Sequence, residues 1–194
     1  MKSGRKTPGG RAPKTLGTPW AGFRSSRKVF IDTSFYGDCV CSEIERLFRA
    51  STLNPITLCI DSSGGYLKEL IKVEKLIENT LAPIDGLVVG QARSAAFYLL
   101  QACRKRLAYP EAQFMFHAPR ILYPKTSTLI FRKKFYEVKA HRVLGNSELY
   151  LNFLESLAKR SGQPIELLRK WGSEEKIFTV EEAKELGFID DIVH

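Results

Sequence analysis

Acidic residues are missing from the first 28 positions of this chain, where Lys2, Arg5, Lys6, Arg11, Lys14, Arg24, Arg27 and Lys28 stand. Of the formal charge of +9, that leader carries +8, so the remaining 166 residues hold only about +1. A basic balance confined to one end gives a nucleic-acid-binding body little support. Long apolar runs are missing too: none approaches bilayer length, and no hydrophobic signal-peptide core follows Met1. Cysteine is scarce, with Cys39, Cys41, Cys59 and Cys103 in no metal-ligand spacing. Cys39 and Cys41 are too close for a zinc knuckle, and no paired CxxC follows. Buried free thiols in a reduced, cytosol-like compartment are expected, with no metal and no cofactor. Histidine is scarcer still: only His117, His141 and His194 are available for proton transfer.

The chain is 44% apolar and 26% charged, ordinary for one globular domain. Residues 1–27 are rich in Gly, Pro, Ser, Thr and basic residues and read as a flexible basic tail, since they bury too little to order themselves. An organelle transit segment is the weaker alternative. The body spans 28–194. Lys28–Asp32 reads as a strand, and Val40, Ile44, Leu47 and Phe48 recur at helical spacing. Strands are expected over 55–60, 84–89, 106–108 and 113–117, and helices over 66–79 and 94–104. This alternation implies crossover units and a largely parallel sheet. A long charged, helical stretch is expected over 125–160, ending at Ser161-Gly162-Gln163-Pro164, with a short helix over 164–171. Thr179 and Glu182 form a capping box before a helix that Gly187 ends, and 188–193 reads as a last strand.

Three turns lie where strands end. Ser94 follows Gly90-Gln91-Ala92-Arg93 and opens an apolar helix. Its small neighbours let a substrate backbone approach, and the helix N-terminus offers unpaired amides, that of Ala95 first. The plain alternative is an N-cap serine. Gly64-Gly65 turns sharply before another helix, and the Gly65 N–H is placed to be a second oxyanion donor; an ordinary turn is the alternative. His117 ends a strand before Ala118-Pro119 and reads as a general base or as a structural hydrogen-bonding residue. His141 and His194 read as solvated. Open α/β sheets gather their sites at such carboxyl ends.

The segments Ile60-Asp61-Ser62-Ser63-Gly64-Gly65, Gly90-Gln91-Ala92-Arg93-Ser94 and Phe114-Met115-Phe116-His117-Ala118-Pro119 resemble, in this order, the proteolytic subunit of the Clp serine protease family. The likeness continues through Ser161-Gly162-Gln163-Pro164 and Glu181 to Asp190, and covers about 28–194. It implies an α/β fold of the Clp-protease and crotonase type, a spiral of ββα units with a handle helix projecting from about 120–162. It implies a serine endopeptidase with Ser94 as nucleophile, His117 as base, Gly65 and Ala95 as oxyanion-hole amides, and an acyl-enzyme intermediate. The family's aspartate falls here on Glu175, with Glu174 and Asp190 as alternatives. Peptide or unfolded protein substrates, a ring of six or seven subunits, stacked or single, an AAA+ unfoldase partner and a cytoplasmic location are implied, with neither nucleic acid nor membrane.

Departures from the family pattern are Ser63 in place of a proline, Arg93 in place of a small residue beside the nucleophile, and 120–135 without the family's handle glycines. Residues 1–27 do not resemble the family's pore-lining stretch. Phage head-maturation proteases and other Clp-like peptidases share the core. The rival readings are a crotonase-type acyl-CoA enzyme, a non-catalytic scaffold subunit motivated by Arg93 and Glu175, and a Ser-Lys peptidase, for which Lys105 lies beyond the helix.

Overall fold

Ile56, Leu58, Ile60, Ile84, Leu87 and Val88 are almost wholly removed from solvent, because the two runs that carry them lie side by side inside one sheet. The computed structural model describes residues 27–34, 37–50, 53–122, 141–143 and 147–193. Residues 1–26 of the expected tail, 123–140 and 144–146 of the expected handle, and His194 lie outside the described residues.

The strands are β1 (Lys28–Ser34), β2 (Ile56–Gly64), β3 (Ile84–Arg93), β4 (Arg106–Ala108), β5 (Gln113–Met115), β8 (Ile177–Phe178) and β9 (Asp191–Ile192), in a seven-stranded sheet of order β1-β2-β3-β4-β9, with β5 joining β3 and β8. All pairs are parallel except β5–β8. The helices α1 (Gly37–Ala50), α2 (Leu67–Asn79) and α3 (Ala95–Ala102) are the crossovers that parallel pairing requires. This is the mixed α/β architecture expected, and it is consistent with the Clp-protease fold.

Two strands run further than their apolar stretches. β2 continues through Asp61-Ser62-Ser63-Gly64, and β3 through Gly90-Gln91-Ala92-Arg93. The reason is tertiary. The first half of β3 pairs with β4 (Gly86↔Arg106 to Val88↔Ala108), and its second half turns to a different partner, β5 (Gln91↔Gln113 to Arg93↔Met115). Between these halves the β2–β3 register jumps from Ile60↔Val88 to Ser62↔Ala92, so β3 carries two extra residues. The Asp61 carboxylate fills that irregularity. Its Oδ1 accepts from the Gln91 N–H at 3.1 Å, and a Cβ on Gly90 would lie 2.5 Å from the same oxygen.

The chain then departs from the expected long helix. Arg120–Leu122 (β6) and His141–Val143 (β7) pair antiparallel, so His141 stands in a strand rather than in a charged helix. Among the described residues of the expected stretch the helix is α4 (Glu148–Ser161), which Ser147 caps by accepting from the Tyr150 N–H, while 125–140 and 144–146 lie outside them. Gly162 ends it in the left-handed conformation at φ +74°. α5 (Ile165–Glu174) follows Pro164, and Thr179 and Glu182 form the capping box of α6 (Val180–Glu185). The last strand shrinks to β9, because Phe188 and Ile189 turn inward to the core instead of pairing.

Arg160 on α4 donates to the carbonyls of Gln101 and Cys103, satisfying the open C-terminal end of α3. Cys59 and Cys103 are buried free thiols, as expected, and Cys41 is a half-buried one. Burial pushes the Cys103 thiol up to about 12, so it is inert. Among the described residues no helix is long and apolar enough to cross a membrane.

Candidate active site

A serine between a strand end and a helix start is forced into an unusual backbone. β3 delivers Ser94 beside β5, where its N–H donates to the Met115 carbonyl at 2.8 Å, and α3 must start at once. The result is φ +52° and ψ −123°, a conformation that non-glycine residues avoid. This is the sharp strand–turn–helix elbow that lifts a serine hydroxyl above a sheet. The N-cap alternative fails on geometry, because the Ser94 side chain makes no cap hydrogen bond. Its carbonyl instead accepts the N–H groups of Phe97 and Tyr98. The Ala95 N–H belongs to the first turn of α3, where amides have no partner within the helix.

The glycine turn meets this elbow directly. Gly64 has φ +109°, and a Cβ there would lie 2.8 Å from the Arg93 carbonyl oxygen and 3.0 Å from both the Ala95 nitrogen and the Ser94 Cβ. Only glycine allows the β2 end to come this close. The Ser62 hydroxyl accepts the Gly64 N–H at 3.1 Å and holds the bend, and Gly65 follows it, exposed. The turn thus brings the Gly65 amide into the neighbourhood of Ser94 and Ala95.

His117 lies two residues past β5, half-buried between the buried Phe116 and Ala118. Its ring Nδ1 is 2.7 Å from the Ala118 carbonyl oxygen. A carbonyl only accepts, so Nδ1 carries the hydrogen and the neutral ring keeps its lone pair on Nε2. The Tyr98 hydroxyl, one turn beyond Ser94, donates to the His117 carbonyl. Glu175 is half-buried and closes α5 in the left-handed conformation, at φ +52° and ψ +40°. β8 pairs with β5 as Phe114↔Phe178 and Met115↔Ile177. His117 lies two residues after β5 and Glu175 two residues before β8, so both flank the same end of this antiparallel pair.

One aromatic stack ties the neighbours of all three positions. Phe97, three residues past Ser94, stacks on Phe116 at 5.0 Å between centroids. Phe116 precedes His117 and stacks on Phe178 at 6.1 Å, three residues past Glu175. Phe188 and Trp171 close the cluster edge-on.

The alternative acids lie in other surroundings. Both oxygens of Asp190 serve Arg106 on β4, with Oδ1 2.5 Å from Nη2 and Oδ2 accepting the backbone N–H at 2.7 Å. Burial would raise this carboxyl, but the Arg106 hydrogen bonds and charge hold it below its ordinary value. Glu174 is exposed, 3.9 Å from Lys170. Arg93 turns toward β5 and donates from Nη2 to Gln113 Oε1 at 2.9 Å.

The Clp protease family model matches residues 18–194. The chain belongs to the Clp protease family. It is 30% identical over 181 residues to the ATP-dependent Clp protease proteolytic subunit 1 of Rhodococcus jostii, covering 90% of this chain and 78% of that one. It is 31% identical over 154 residues to the proteolytic subunit 2 of Mycobacterium tuberculosis, covering 76% and 68%. With the proteolytic subunit 2 of Streptomyces coelicolor the identity is 28% over 180 residues, covering 90% and 79%. Membership of the Clp family supports a peptidase.

Two features of this Clp-family site escaped the sequence reading. The Tyr98–His117 hydrogen bond has no local signal. Glu74 does have one: it occupies the apolar stripe of α2 set by Leu67, Leu70, Ile71 and Ile77, where a carboxylate is out of place.

Proposed function

We propose that this chain is a serine endopeptidase with Ser94 as nucleophile, His117 as general base and Glu175 as the acid that orients it, taking over the Nδ1–H that the Ala118 carbonyl holds here. The observation that carries the reading is the Ser94 elbow: φ +52°, no capping bond, and Gly64 packed against the Ala95 nitrogen. Such strain persists where the surroundings enforce it, and it is characteristic of working residues. Ser94 Oγ attacks the peptide carbonyl as Nε2 of His117 takes its proton. The Gly65 and Ala95 amides receive the developing oxyanion, each worth roughly 3 kcal/mol of barrier. The C–N bond breaks as His117 returns the proton to the leaving amine, and water then hydrolyses the acyl-enzyme. The β5–β8 pairing and the commitment of Asp190 to Arg106 favour Glu175 as the third member.

The substrates are peptides or unfolded proteins. The working form is a ring of six or seven subunits in the cytoplasm, single or stacked. The ATP dependence named for the relatives resides in a separate AAA+ unfoldase, and the chain itself takes no cofactor or metal. In this reading residues 28–194 are the peptidase domain with a handle at about 120–162 and 1–27 are its basic leader, the last ten positions of which already fall within the family match. Purified protein is expected to cleave a small fluorogenic peptide, with Ser94→Ala abolishing turnover at unchanged particle size. Turnover retained by Ser94→Ala overturns the assignment.

A further inference from the structure

A shallow recess, about 30 Å³ below an open mouth, is walled by residues that follow the three candidate site segments in the chain. Its walls include Leu67, Leu70 and Glu74 of α2, Tyr98 of α3, Pro119 in the loop after β5, and Tyr150 and Phe153 of α4. Its place is fixed by chain connectivity. Leu67 lies two residues past Gly65, Tyr98 one helical turn past Ser94, and Pro119 two residues past His117. The Tyr98 hydroxyl that reaches the His117 carbonyl belongs to the same wall. A recess bounded by residues next to the oxyanion donor, the nucleophile and the base adjoins the point where a substrate carbonyl is attacked. It therefore takes the side chain on the acyl side of that bond.

Glu74 is the one acidic or basic side chain among these walls. Among the described residues no cation pairs with it: Lys72, two positions earlier, binds Glu69 at 3.3 Å, and Lys75 is exposed. Burial, and then the like charge of Glu78, push its carboxyl up to about 7. A carboxylate facing apolar walls without a counter-charge is unfavourable, and a bound cation removes that penalty. A lysine side chain matches both parts of the recess. Its aliphatic stem covers Leu67, Leu70 and Pro119, and its ammonium reaches the carboxylate.

We propose that Glu74 is the specificity-determining residue of this recess and selects substrates with a lysine-like cationic side chain before the scissile bond. The inference rests on the peptidase reading above. Its test compares fluorogenic peptides identical except for lysine or norleucine at that position, which share the stem and differ in the ammonium. The native protein is expected to favour lysine in kcat/KM by at least about tenfold, the span of a charged hydrogen bond. Glu74→Gln should reduce that ratio roughly ten- to a hundredfold, and Glu74→Leu should reverse it. A native preference for norleucine, or a ratio unmoved in Glu74→Gln, overturns the proposal; the native ratio needs no variant to fold. Peptidyl phosphonates carrying the two side chains separate the two levels. Equal reaction of both at Ser94 refutes the specificity alone, whereas no reaction of either, with no peptide cleaved, refutes the peptidase reading and this inference with it.

Discussion

Gly64→Ala is a one-carbon change that probes the elbow without touching a side chain that does chemistry. At φ +109° an L-residue is strained, by about 1–3 kcal/mol. The new methyl would also stand 2.8 Å from the Arg93 carbonyl oxygen and 3.0 Å from the Ala95 nitrogen, both backbone atoms that cannot swing aside. Overpacking of that kind typically costs about 1–3 kcal/mol. The two effects together predict a loss of about 2–6 kcal/mol in stability if nothing moves. Relaxation would lower that figure only by displacing β2 from the elbow, which moves the Gly65 amide away from Ser94 and Ala95. Loss of one oxyanion donor then lowers kcat about 10²–10³-fold. Thermal melting and turnover of a fluorogenic peptide, measured on one preparation, read both arms. A variant with native melting temperature and native kcat would refute the packing of Gly64 against the nucleophile and its helix.

Phe116→Ala removes the centre of the aromatic stack and should destabilise the fold by about 3–5 kcal/mol in chemical unfolding, with kcat falling more than KM rises because His117 loses its support. Glu175→Gln should lower kcat roughly 10²–10⁴-fold with little change in melting temperature; Asp190→Asn should do the reverse, lowering melting temperature by breaking the contact with Arg106 while sparing the rate. Stability should fall as pH rises from about 4.5 to about 7, because the native state holds on Glu74 a proton that the unfolded chain has released. Melting curves across that range should show the slope in native protein, and less of it in Glu74→Gln.

Local chemistry was legible where neighbours in sequence decide the structure. The apolar run after Ser94 announced α3, Gly162 and Pro164 marked the break between α4 and α5, and Thr179 with Glu182 announced α6. The strand-end placement of Ser94 and His117 was legible for the same reason. What the pattern hid was decided by distant partners. β3 runs on through Arg93 because β5, some twenty residues later, pairs with its end. His141 joins a strand because Leu122 stands across from it, and no periodicity in 125–160 foretells that pairing. Phe188 and Ile189 look like strand residues, yet the aromatic cluster draws them into the core. Asp190 was a reasonable acid by residue type alone; only the fold shows Arg106 holding both its oxygens. Glu74 went unread although it is a polar residue on an apolar helical stripe, and the recess it lines exists only once α2, α3 and α4 pack together.

In the proposed chemistry the hydroxyl at position 94 is a nucleophile activated by the imidazole at 117. Tandem mass spectrometry of protein treated with a fluorophosphonate tests it most directly. A single adduct on Ser94 is expected, lost or strongly slowed in His117→Ala. Unmodified Ser94 in the native protein, or labelling at the same rate without His117, would contradict it.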